Sequence, residues 1–123
     1  MRTYYRSFLY ALSGLGHAFG KERNLKFFGA VYVCSLLLGG ILGIAMRDWQ
    51  MVIFTGGVFL SVELLNTALE RFTDAFDRHS TGMHASAIKA TKDIAAGASL
   101  ICAVAWAAML IITFLPLLIA RAG

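Results

Sequence analysis

The chain has 123 residues, 59% of them hydrophobic and 15% charged, with a formal net charge of +4 and a mean hydropathy of +0.71. A soluble domain of this size carries about a quarter charged residues and buries about two-thirds of its surface. Water is therefore the wrong solvent for most of this chain, and a soluble globular enzyme is excluded. The length suits one small unit over residues 1–123.

Residues 1–22 place Phe8, Leu12, Leu15 and Phe19 at i, i+4, i+7 and i+11, with Arg2, Arg6 and Lys21 alongside. That pattern predicts an amphipathic helix lying on a lipid leaflet, and the same stripe serves a helix packed on a bundle. Residues 27–46 form a run of 20 without a charge, matching about 30 Å of hydrocarbon at about 1.5 Å per residue. A second span, 49–70, opens at Trp49 and stays uncharged for 14 residues, until Glu63. A third, 94–120, runs for 27 uncharged residues, enough to cross with tilt. Alternating ten-residue segments, the mark of a membrane barrel, are absent. The expected fold is an all-α membrane protein with an N-terminal surface helix and three transmembrane helices.

Smaller features fit that frame. Pro116 falls near the end of the third span, where a lost backbone bond matters least. Residues 1–26 hold five cations and no compact apolar region with a cleavage site, so a signal peptide is not expected. Cys34 and Cys102 sit within spans as small apolar residues. His17, His79 and His84 share no regular spacing with acids. Gly39 and Gly43 make a G-x-x-x-G, and residues 95–98 are all Ala or Gly; both suit close helix packing.

Charge sets the orientation. Arg2, Arg6, Lys21, Arg23 and Lys26 precede the first span, and Arg71, Arg78, Lys89 and Lys92 lie between the second and third. With three spans these segments share a side, which leaves nine cations there against two, Arg47 and Arg121, on the other. The positive-inside rule puts the N-terminus and the second loop in the cytosol.

The stretch from Ser61 to Asp74 carries the chemistry. At about 100° per residue, Glu63, Asn66, Glu70 and Asp74 fall within an arc of about 80° on one helix face. No basic residue falls inside that arc, so the carboxylates repel one another unless a proton or a dissolved cation joins them. A divalent metal satisfies that demand. Glu63 lies 14 residues past Trp49, about 21 Å along the axis, which puts it at the cytosolic edge of the core. An ionisable group at that depth is a functional candidate by default. Lys89, Lys92 and Asp93 return to the same interface just before the third span, and Glu22 stands ahead of the first.

Carboxylates for magnesium and a lysine for phosphate are what phosphoryl transfer needs, since its catalysis is mostly positioning and charge neutralisation. A partly desolvated Glu63 suits the general base for a hydroxyl at the membrane surface. No Walker A loop fits, because Leu15 takes the first glycine's place and Glu22 follows Lys21; protein-kinase signatures are also missing. The competing reading is a small ion or proton transporter subunit. It calls for a midplane carboxylate and an internal repeat, and the chain has neither.

Glu63-Leu-Leu-Asn66-Thr67-Ala68-Leu69-Glu70 with Asp74, followed by Lys92-Asp93-Ile-Ala-Ala-Gly97-Ala98, resembles the small prokaryotic diacylglycerol kinase family. Glu22-Arg23-Asn24 and Phe114-Leu115-Pro116 are closer to its Gram-positive branch, whose members phosphorylate undecaprenol. The resemblance implies a lipid kinase of the bacterial inner membrane that uses ATP and Mg2+. The expected acceptor is undecaprenol, with diacylglycerol, giving phosphatidic acid, as the alternative. It makes Glu63 the proton acceptor and Glu22 and Glu70 the metal carboxylates. Lys92, Asp93, Asn66 and Tyr10 then contact nucleotide. It also implies a homotrimer with sites shared between neighbouring subunits, a membrane lipid alcohol as partner, and no nucleic acid. The loop over residues 79–88 departs from the family: its histidine would fall at Ala85, and His84 stands one place early.

Overall fold

The computed structural model of the chain describes residues 1–79 and 82–123. Those residues form four helices: α1 (Arg2–Lys21), α2 (Arg23–Leu42), α3 (Met46–His79) and α4 (Ala85–Ala122). The last three are long and apolar enough to cross a membrane. The expected all-α architecture is present, and three of the differences between the helix limits and the expected spans bear on the site.

First, α2 ends at Leu42 rather than at residue 46. Gly43 takes a left-handed conformation (φ 65°, ψ 52°) and its N–H closes on the carbonyl of Gly39. Only glycine adopts that geometry freely, so hydropathy runs through a point where the backbone turns. Gly43 is therefore a helix stop, and within the chain it packs against nothing. Gly39 alone packs, beneath Ile44 and Trp49.

Second and third, α3 and α4 continue past the bilayer on the charge-rich side. They hold 34 and 38 residues, about 51 and 57 Å against a core of about 30 Å. No glycine or proline interrupts residues 58–79, and the Leu- and Ala-rich stretch favours helix. Residues 85–93 are helical as well, so Lys89, Lys92 and Asp93 ride on α4 instead of in a loop. Ser80 and Thr81 of the altered loop lie outside the described residues; His84 caps α4, its ring 5.7 Å from that of Phe76.

Packing centres on α3 and α4. The buried stripe of α3, Val52, Gly56, Phe59 and Glu63, follows i, i+4, i+7, i+11, and α4 buries Ser99, Trp106 and Phe114. Phe59 stacks on Trp106 at 5.0 Å and takes the edge of Phe28 from α2 at 4.7 Å. Tyr32 lies against Gly56, where an added Cβ would collide with its ring, and its hydroxyl donates to the carbonyl of Ile53 at 2.8 Å. At the charge-poor end Arg121 donates to the Leu42 carbonyl, one of the acceptors left open at the end of α2. By contrast α1 buries no residue and touches α2 through Phe19 against Gly29. Of the two readings of its apolar stripe, packing on the bundle of its own chain is thus limited to the last turn.

Candidate active site

Helices α3 and α4 run antiparallel in one register that leads from water-facing charge to apolar core. Phe76 meets His84, Asp74 meets Lys92, Glu63 meets Ser99, and Phe59 meets Trp106. Glu63 thus closes the top of the aromatic core, one turn above Phe59, and only 7% of it is exposed. The hydroxyl of Ser99, itself 6% exposed, donates to Oε2 of Glu63. Oε1 has no bond among the described residues. It is not sealed in either, because the only buried and unpartnered side-chain nitrogen or oxygen among them is Nε1 of Trp106.

Farther out, two charge pairs join separate elements of the chain and a third lies within α4. Arg71 Nε and Nη2 both donate to Oε1 of Glu22, at 3.1 and 2.6 Å, leaving Oε2 outside the pair. Lys92 Nζ donates to Asp74 at 2.8 Å, and Lys89 to Asp93 at 2.7 Å. The hydrogen bond to Asp74 raises the Lys92 ammonium above the usual lysine value. Desolvation opposes this, while the charges of Asp74, Glu70 and Asp77 add to it. Lys89 is raised mainly by its bond to Asp93. Screened by solvent, these pairs add little to stability; those of Arg71 with Glu22 and of Lys92 with Asp74 mark which elements face each other.

The expected acidic face is present on α3, and its carboxylates are spread along the helix. Glu63 and Glu70 stand seven residues apart, about 10 Å along α3. Among the described residues no three His, Cys, Asp or Glu side chains converge on a point. Each acid has its own surroundings. Glu63 is held by Ser99, Asp74 by Lys92 and Glu22 by Arg71, whereas Glu70 is exposed on the open face. Asn66 is half-buried one turn beyond Glu63, and Tyr10 is 73% exposed on α1. Lys92 and Asp93 flank a polar recess of about 370 Å³ that also includes Asp77 and Lys89.

Two participants escape sequence reasoning. Ser99 sits among small residues inside an uncharged run and resembles any tolerated serine. Arg71 pairs with a carboxylate 49 positions earlier, which no local spacing reveals.

The profile of prokaryotic diacylglycerol kinase matches residues 9–114. An undecaprenol kinase of Bacillus subtilis is 32% identical over 94% of this chain and 91% of its own length. The chain belongs to the prokaryotic diacylglycerol kinase family. A diacylglycerol kinase of Synechocystis is also 32% identical, over 80% of this chain and 55% of that protein. No solved structure matches. As a family member the chain is a membrane-embedded lipid kinase with a nucleotide phosphate donor. The transporter reading gains no support from either the fold or the relatives.

Proposed function

We propose that the protein transfers the γ-phosphoryl group of Mg2+-bound ATP to the hydroxyl of undecaprenol. The observation that carries this is a buried carboxylate, Glu63, at the edge of the apolar span and beneath a surface of paired charges. A lipid hydroxyl reaches that depth from the bilayer side, while a nucleotide reaches it from the water side. Of the two acceptors, undecaprenol is favoured because the relative of that name matches along nearly its whole length, whereas the diacylglycerol kinase matches over about half of its own.

Glu63 accepts the proton of the lipid hydroxyl as its oxygen bonds to the γ-phosphorus and the bond to the ADP oxygen breaks. Glu22, through its free Oε2, and Glu70, exposed on α3, suit a hard divalent cation that takes its remaining oxygens from phosphate and water. When bound, that ion neutralises phosphate charge. Lys92 and Asp93 line the polar recess where nucleotide phosphate is received, with Asn66 and Tyr10 as further contacts. The carboxylates of one chain do not converge, which favours sites completed between subunits of a homotrimer. Nine cations against two favour a cytosolic active face in the bacterial cell membrane, with residues 1–123 acting as one catalytic unit.

Glu63→Gln tests the reading: it keeps the shape and removes the base. Phosphorylation of every lipid alcohol is expected to stop while the assembly survives on size exclusion. Turnover at the wild-type rate would refute the role of Glu63.

A further inference from the structure

We propose that Ser99 is a positioning residue that holds Glu63 for proton transfer, an inference that rests on Glu63 being the base. Serines and threonines within helices usually return their hydroxyl to a carbonyl one turn back, and this chain follows the habit. Ser35 donates to Tyr32, Thr55 to Met51, Ser61 to Gly57, Thr73 to Leu69 and Thr91 to Ala87. Among the described residues Ser99 is the one hydroxyl that bonds a side chain on another helix instead.

The geometry gives that bond a purpose. A glutamate has several rotatable bonds, and a base held loosely spends little time aimed at its substrate. Ser99 has a single short arm on α4, so its bond ties Oε2 to that helix and leaves Oε1 as the atom that can receive a proton. Both partners are more than nine-tenths buried, where a bond to a charged group is worth most. Ser99 lies immediately after Lys92-Asp93-Ile-Ala-Ala-Gly97-Ala98. The helix that presents the nucleotide pair therefore also orients the base, two turns deeper.

The test is a kinetic cycle on the full-length protein in mixed micelles with ATP and undecaprenol. Ser99→Ala should lower kcat about tenfold, the size a hydrogen bond to a charged group supports, with KM for ATP within twofold of wild type. Glu63→Asp shortens the arm and loses the same bond, so adding Ser99→Ala to it should cost nothing more. A kcat within twofold of wild type in Ser99→Ala overturns the proposal. So does a rise in KM for ATP in place of the fall in kcat, or an equal loss in the Glu63→Asp background. Glu63→Gln separates the two levels: turnover there removes the base itself, whereas an inactive Glu63→Gln beside a fully active Ser99→Ala removes only the positioning.

Discussion

Replacing Phe59 by alanine probes the packing that supports Glu63. Phe59 is 1% exposed and touches the edge of Phe28 and the face of Trp106 at centroid distances of 4.7 and 5.0 Å. In a bilayer the transfer part of the loss is small, since lipid tails are as apolar as the core. What remains is the hole and the lost ring contacts. A cavity of about 100 Å³ at about 24 cal/mol per Å³ costs about 2 kcal/mol. Two aromatic contacts at about 0.5 kcal/mol or more each bring the sum to about 3 kcal/mol. Because Glu63 lies one turn above on the same stripe, kcat should fall together with stability. Reversible unfolding in mixed detergent micelles measures the first and lipid phosphorylation the second. Phe59→Leu, which refills most of the space, should cost about 1 kcal/mol. A loss below about 1 kcal/mol for Phe59→Ala would mean that the three rings do not form the floor of the site.

Two further substitutions address the charged surface. Arg71→Ala frees Glu22 from its only ion pair among the described residues; if Glu22 takes the metal, the Mg2+ concentration for half-maximal activity falls by up to about fivefold, the limit set by a half-exposed pair. An unchanged Mg2+ midpoint would take Glu22 out of the metal set. Lys92→Met should raise KM for ATP about tenfold by removing a phosphate partner. Its unfolding midpoint should stay close to that of wild type, because the bond to Asp74 is open to solvent; a KM unchanged from wild type would place the phosphates elsewhere.

What the sequence makes legible is what depends on local spacing. Uncharged runs reveal the three spans, the stripe Phe8–Phe19 reveals α1, and the 3.6-residue period gathers Glu63, Asn66, Glu70 and Asp74 on one face. The end of α2 is lost because Gly43 is apolar by composition while its backbone turns left-handed. The partners of the acids are lost for a different reason. Lys92 reaches Asp74 and Ser99 reaches Glu63 only once the register of α3 against α4 is set. That register follows from Phe59 and Trp106 stacking across the core, a long-range fact without a local signature. The acidic face alone does not reveal how its members part company: Asp74 takes Lys92 and Glu63 takes Ser99, both from α4, while Glu70 stays exposed.

The most direct measurement uses purified protein, ATP labelled on the γ-phosphate, Mg2+, and either undecaprenol or diacylglycerol in mixed micelles. The account predicts label in both lipid products, with kcat/KM higher for undecaprenol, and none in either with Glu63→Gln. ATP consumed without label in any lipid, or label that persists in Glu63→Gln, would contradict it.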